Sequence, residues 1–318
     1  MATMVMFHPD CLEHRPGAGH PESPRRLHAV LQALQQPEFA QLAWREAPLG
    51  TREQVLRVHT PHYVELIETV AESVAASAAS GRGLVQLDGG DTVMSSGSWN
   101  AVMRCVGAAC AGVDAVLAGA ARNVFCATRP CGHHAEPGQA MGFCIFNQVA
   151  IAALHALDVH GLQKVAVIDF DVHHGNGTQA AFYHRPELFF GSSHQSPLYP
   201  GTGAADERGD SGNIVNLPLP PGCASALFRA RVEADLLPAL RRFAPELILV
   251  SAGFDAHRLD PLAQMALEDA DFGWITQKVM AIADAVCEGR IVSVLEGGYS
   301  GEGLGGGCAA HVRALMQH

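Results

Sequence analysis

Apolar runs with strand character recur along this chain at residues 4–7, 124–127, 164–170, 188–191, 247–251 and 291–295. Between them lie longer stretches with helix-like apolar spacing, at residues 23–34, 61–76, 95–118, 148–157, 225–243 and 269–287. Thr60 is a good N-cap for the second of these. Strands that are almost continuously apolar and alternate with helices predict a parallel sheet covered on both faces. No Pro/Ser/Gly-rich linker long enough to divide the chain occurs, and no repeat is visible. Residues 1–318 therefore read as one α/β domain.

Four of the predicted strands run into polar, glycine-rich segments. Residues 124–127 lead to Arg129-Pro-Cys-Gly-His133-His134, and residues 164–170 to Asp171, His173 and His174. Residues 247–251 lead to Gly253-Phe-Asp255-Ala-His257, and residues 291–295 to Glu296-Gly-Gly-Tyr299. Open α/β sheets bind ligands at the carboxyl ends of their strands. Four strand ends with the same kind of chemistry point to one cleft.

Composition narrows the picture. The 318 residues are 48% hydrophobic and 17% charged, enough for a large core, with a formal charge of −11. That balance argues against a nucleic-acid binder, which needs a basic footprint, but allows a basic partner such as a lysine-rich protein or a polyamine. The nine cysteines are odd in number and lack a Cys-x-x-Cys pair, as expected of buried thiols in a reducing compartment. The N-terminus lacks a signal-peptide pattern, and no apolar run reads as a bilayer span. A cytoplasmic protein without membrane contact is the expectation.

The strand end Val165-Ala-Val-Ile-Asp169-Phe-Asp171-Val-His173-His174-Gly-Asn-Gly177 carries the most chemistry. Alternation along an extended segment sends Asp169, Asp171 and His173 to one face. Asp171 and His173, with Asp255, offer two carboxylates and an imidazole, a set that suits zinc or a harder divalent ion and leaves coordination positions open. A metal so held lowers the pKa of its water to about 7 in favourable sites. His133 and His134 would move protons, with Asp169 and Asn176 in sequence positions to orient them. Tyr299 would donate to a developing oxyanion. His8, His14 and His20 read as loop residues, and His174 and His257 as supporting or surface groups. Residues 301–307 resemble a phosphate loop only in glycine content and lack the Gly-Lys-Ser/Thr ending.

Together, Arg129-Pro-Cys-Gly-His-His-Ala135, Met141-Gly-Phe-Cys-Ile-Phe-Asn147, Asp169-Phe-Asp-Val-His-His-Gly-Asn-Gly-Thr178, Ser251-Ala-Gly-Phe-Asp-Ala-His257 and Glu296-Gly-Gly-Tyr299 resemble the histone deacetylase superfamily. His20-Pro-Glu-Ser-Pro-Arg-Arg-Leu27 resembles its first helix, and Asn176 resembles the class II branch and its bacterial amidohydrolase relatives.

The resemblance implies an arginase/deacetylase-type three-layer α/β/α fold with an eight-stranded parallel sheet. It implies Zn²⁺ on Asp171, His173 and Asp255, with Fe²⁺ also tolerated by such ligands. It makes His134 the principal base and acid, supported by Asn176, pairs His133 with Asp169, and makes Tyr299 the carbonyl-polarising donor. It implies a structural K⁺ near Asp169, Asp171, His173, Ser192 and Ser193. It places Gly142, Phe143 and Tyr199 along an acyl-lysine tunnel, Leu262 on its rim, Asp88 or Asp91 on the substrate backbone and Arg26 at an inner product channel. Tyr199 stands where Phe is commoner, and Cys131 where class II members have Pro.

The resulting expectation is a zinc amidohydrolase acting on acetyl-lysine in a protein or peptide. A deacetylase of acetylpolyamines or other small N-acyl amines is the alternative, although Leu262 offers no charge to select a polyamine. A non-catalytic acyl-lysine binder would not need His133, His134 and Tyr299 together. Dimers or tetramers through surface loops are a further expectation of the resemblance.

Overall fold

The computed structural model describes residues 2–77 and 83–317. Among these, the strands in chain order are β1 (Thr3–Phe7), β2 (Ala43–Glu46), β3 (Leu84–Gln86), β4 (Val93–Ser95), β5 (Asn123–Cys126), β6 (Val165–Asp169), β7 (Leu188–Gln195), β8 (Ile214–Leu219), β9 (Leu247–Ala252) and β10 (Ile291–Leu295). The helices are α1 (Pro24–Leu34), α2 (Arg52–Val55), α3 (Pro61–Ser77), α4 (Ser98–Leu117), α5 (Gln148–His160), α6 (Asn176–Phe182), α7 (Ser225–Arg231), α8 (Leu237–Phe243), α9 (Asp269–Val286) and α10 (Gly301–Met316). All six apolar runs are strands.

Eight strands form one parallel sheet in the order β2-β1-β5-β10-β9-β6-β7-β8, while β3 and β4 form a separate antiparallel hairpin. The central strands are largely apolar because each feeds two cores. Val5, Phe125, Ala166, Ile168, Ile248, Val250, Ile291 and Leu295 face one side, with α1, α9 and α10. Met4, Met6, Val124, Cys126, Val165, Val167, Leu247, Leu249, Val292 and Val294 face the other, with α4 and α5. Successive side chains on a strand point to opposite faces, so both faces demand apolar residues.

Two sheet strands lack that pattern. β2 is an edge strand whose Ala-Trp-Arg-Glu sequence is largely exposed, and β8 at the other edge carries Asn216 and Pro218. Proline is tolerated at an edge because one row of N–H groups there needs no partner.

Three helices differ from expectation. The stretch 225–243 is broken by a π turn at Val232–Leu236, just before Pro238, which has no N–H to continue the ladder. The glycine-rich segment at 301–307 is the first half of α10, capped by Ser300 Oγ, which accepts from Gly303 N at 3.2 Å. Its glycines permit close packing: a Cβ on Gly307 would lie 2.9 Å from Phe254 and 3.0 Å from Phe272. Helix α4 is long and apolar enough to cross a bilayer by length and composition, against the sequence reading. However, 67% of its most apolar window is buried within the protein, and its small residues pack against β5 and β10. All nine cysteines are free and buried.

The crossover from β5 to β6 spans β10 and β9. The carboxyl ends of β5, β10, β9 and β6 are therefore adjacent, and this is where the polar segments meet.

Candidate active site

Asp171 and Asp255 lie just beyond the ends of β6 and β9, and backbone N–H groups aim both. Asp171 Oδ1 accepts from His173 N at 2.9 Å and Oδ2 from Gly297 N at 2.8 Å. Asp255 Oδ1 accepts from Val172 N at 2.8 Å, which leaves Oδ2 facing His173 Nδ1 at 3.2 Å with no aligned hydrogen bond. Asp171 Oδ1 is 3.1 Å from the same nitrogen. Glycine is needed at 253 and 297, where any Cβ would collide with the Asp171 or Asp255 carboxylate.

The three ligand atoms lie within 4.8 Å of one another, and both carboxylates are fully buried. Burial and the neighbouring Asp171 charge raise the pKa of Asp255. Burial disfavours a charged His173, but the two carboxylates outweigh it and push its pKa up to about 10. Two buried anions around one imidazole are short of positive charge, and Asp255 Oδ2 lacks a donor. A divalent cation fits both deficits.

His133 and His134 follow β5, their ring centroids 4.0 Å apart. His133 Nδ1 donates to Asp169 Oδ2 at 2.9 Å, and its Nε2 lies 3.8 Å from Asp171 Oδ1. Burial works against its charge, yet Asp171 and Asp169 hold its pKa well above the ordinary value. Burial pushes Asp169 up to about 6, which still leaves it ionised at neutral pH.

His134 has the opposite environment. Burial, then the charges of His133 and His173, hold its pKa well below the ordinary value. Asn176 Nδ2 donates to Glu136 Oε1 at 2.8 Å, so Asn176 Oδ1 faces His134 Nδ1, also at 2.8 Å. Nδ1 therefore carries the proton and Nε2 keeps its lone pair. Two adjacent imidazoles are thus driven apart, one cationic and one neutral, as proton-transfer chemistry requires.

Tyr299 sits on the turn after β10. Its N–H donates to Asp260 Oδ2 at 2.7 Å, Arg26 lies under its ring at 4.8 Å, and Phe143 packs 5.8 Å away. Burial, together with the acidic groups around it, raises its pKa well above the ordinary value, so the hydroxyl stays protonated. Arg26 donates to Gly298 O at 2.6 Å, to Glu296 O and to Glu22 Oε1 at 3.0 Å. Glu22 also binds Arg129 through both oxygens and lies 3.2 Å from His14.

This architecture has counterparts. A model of the histone deacetylase domain matches residues 20–315. The chain belongs to the histone deacetylase family. It is 42% identical over 290 residues to the "Histone deacetylase-like amidohydrolase" of Pseudomonas aeruginosa, covering 89% of this chain and 73% of that protein. It is 40% identical to "Histone deacetylase 14, chloroplastic" of Arabidopsis thaliana, over 93% of this chain and 73% of the relative. The crystal structure of the HDA15 HD domain superposes with a TM-score of 0.90 at 31% identity, covering 100% of this chain and 90% of that one. The arginase/deacetylase fold and a hydrolase of the deacetylase and amidohydrolase class follow from these matches.

In this histone deacetylase family member, the predicted residues His133, His134, Asp169, Asp171, His173, Asn176, Asp255 and Tyr299 converge. Gly142 and Tyr199 flank the histidines, with the Tyr199 ring 5.1 Å from His134. Asp88 is exposed but occupied: it accepts from Gly90 N, Thr92 N and the Thr92 hydroxyl, and Thr92 Oγ1 accepts from Phe143 N at 3.0 Å. Asp91 offers its carbonyl to His20 Nε2 at 2.8 Å. Leu262 is half-buried, its N–H donating to Asp260. Asp169 stands opposite Ser192 in the β6–β7 register, Ser192 Oγ meets His194 Nδ1 at 2.9 Å, and Ser193 Oγ is buried without a partner.

His14 lies in the loop between Leu12 and Pro24, as read, but it is buried there, with Nδ1 2.6 Å from Ser98 Oγ. His20 packs edge-on to Phe143 at 4.8 Å. Glu22, Glu136, Asp260 and Glu296 carried no role in the sequence reading. Glu296 Oε2 accepts from Gly132 N at 2.7 Å and His133 N at 3.2 Å, and burial pushes its pKa up to about 7.

Gly142 supplies a test of packing. Its φ is +56°, and an added Cβ would lie 2.5 Å from His134 and 3.0 Å from Tyr199. Gly142→Ala should lower kcat/KM on the order of 10²-fold by displacing His134 while the protein stays folded. Turnover within a few-fold of wild type would show that this close approach does not hold the imidazole.

Proposed function

We propose that residues 1–318 form one catalytic domain, a zinc-dependent amidohydrolase that removes acetyl or other acyl groups from the ε-amino group of lysine. The observation that carries this reading is the meeting of a neutral imidazole, a cationic imidazole, a protonated tyrosine hydroxyl and a buried Asp-His-Asp set at four adjacent strand ends. Asp171, His173 and Asp255 would hold the metal, whose Lewis acidity supplies activation of water and carbonyl.

The protein's own residues do the rest. His134 takes a proton from the attacking water at Nε2, with Asn176 fixing its tautomer and Glu136 fixing Asn176. The depressed pKa of His134 then makes it a strong donor to the departing amine. His133, kept positive by Asp169, stabilises the negative charge that develops on the carbonyl oxygen. Tyr299 donates its hydroxyl to that oxygen, held in place by Asp260, Arg26 and Phe143. Gly142, Phe143 and Tyr199 line the acyl-lysine path, Leu262 and Asp88 or Asp91 lie at its rim, and Arg26 borders the product side. Asp169, Asp171, His173, Ser192 and Ser193 are the proposed potassium site, the unpartnered Ser193 hydroxyl being one observation that favours it. We place the enzyme in the cytoplasm, with acylated proteins or peptides as partners.

The acidic net charge favours one second reading, a small N-acetyl amine as substrate. Purified enzyme with its metal measured should show a higher kcat/KM on acetyl-lysine peptides than on N-acetylputrescine. A reversed preference would overturn the substrate and leave the chemistry standing. Loss of turnover on both, with ligand still bound, would overturn the chemistry.

A further inference from the structure

A second group of metal-ligating side chains lies away from the active site. Asp114 is in the last turn of α4. His155 and His160 are on α5, His160 being its final residue before Gly161 at φ +71°. Both helices lead into the starts of β5 and β6, so these residues sit at the amino edge of the sheet, at the opposite end from the catalytic strand ends.

The geometry is specific. His155 Nε2 and His160 Nε2 each lie 2.7 Å from the same oxygen, Asp114 Oδ1, and the three atoms lie within 4.8 Å of one another. The His155 side chain is only 7% exposed, whereas His160 and Asp114 are 28% and 52% exposed. Solvent therefore reaches the point where the donors converge. One donor is fixed in the helix interface, and two can adjust.

We propose that Asp114, His155 and His160 form a second divalent-metal site, selective for Zn²⁺ and similar nitrogen-seeking ions, that clips the end of α4 to the end of α5. Two imidazoles and one carboxylate are zinc ligands, and they leave a fourth, solvent-facing position for water. Zinc–nitrogen distances of about 2.0–2.1 Å in a tetrahedron put neighbouring ligand atoms about 3.3 Å apart. The side chains reach that spacing from 2.7 Å by small rotations of the exposed Asp114 and His160. His155 Nδ1 is buried without a hydrogen-bond partner. A missing outer partner of this kind costs about 10–100-fold in affinity. The ion would therefore be exchangeable rather than permanently trapped.

The test compares chains rather than absolute loading, so it does not depend on what the active site holds. Wild type, His160→Ala and Asp114→Asn are dialysed against micromolar ZnCl₂, and zinc per folded chain is measured. The expected result is one zinc fewer in each variant than in wild type. The zinc-dependent rise in the thermal midpoint should be larger in wild type than in either variant, with turnover on an acetyl-lysine peptide equal in all three. Asp114→Asn keeps the side-chain size, which guards against a folding defect in the histidine variant. Equal zinc counts in wild type and both variants would overturn the proposal and leave the three residues as a hydrogen-bonded clamp.

Discussion

Tyr299→Phe should lower kcat on an acetyl-lysine peptide by about 10²–10³-fold while metal content and KM stay close to wild type. That magnitude is typical of removing one donor aimed at a developing oxyanion. The substitution is clean here because the ring's neighbours do not use the hydroxyl. Asp260 holds the backbone N–H, Arg26 lies beneath the ring, and Phe143 stands edge-on beside it. A phenylalanine keeps all three contacts and loses only the O–H. Because Arg26 in turn is anchored to the Glu296 and Gly298 carbonyls and to Glu22, the turn should not relax into the space left behind. Turnover within twofold of wild type would remove Tyr299 from the oxyanion role. A fall in kcat accompanied by loss of metal would instead point to collapse of the Gly297–Gly298 turn, whose Gly297 N–H supports Asp171.

Much of this arrangement was legible in the sequence, for a physical reason. The residues with chemistry lie just past strand ends, and strand ends follow from apolar runs that two cores require. Asp171, His173, Asp255 and Tyr299 could thus be assigned to one edge of one sheet before any coordinates. The edge strands β2 and β8 were not legible, because a strand with one free side need not be apolar on both faces. The first turn of α10 was not legible either: its glycines look like loop residues, and their value appears only when α10 packs against Phe254 and Phe272. The supporting acids were hidden for a related reason. Glu22 and Arg129 are 107 positions apart and meet only in the folded protein, and nothing in the spacing of Glu136 and Asn176 announces their contact. His14 does lie in a loop, but its burial was not legible because its partners, Ser98 and Glu22, come from elsewhere in the chain.

The pairing of unlike histidines supports the other large prediction. His134→Ala should lower kcat/KM by about 10²–10⁴-fold, the usual contribution of a positioned acid–base group. The direction of the pKa shifts favours His134 rather than His133 as the proposed base. Burial and two neighbouring positive rings keep His134 unprotonated, whereas Asp171 and Asp169 keep the proton on His133. Only an unprotonated nitrogen can accept a proton from water, and the Asn176 hydrogen bond directs that lone pair away from Asn176 and towards the cleft. The sign also fixes the pH profile. A base whose pKa is depressed stays competent as pH falls through 6.5, so the acid limb of wild-type kcat/KM should lie below that value. In His134→Ala, added imidazole should restore part of the lost rate, because the missing group is a proton carrier and the substitution opens space for it. Asn176→Ala, which removes only the partner that sets the tautomer, should lose less than His134→Ala and should not respond to imidazole. A His134→Ala enzyme that loses under tenfold, or one that imidazole does not rescue while His133→Ala is rescued, would reverse the assignment of the two histidines.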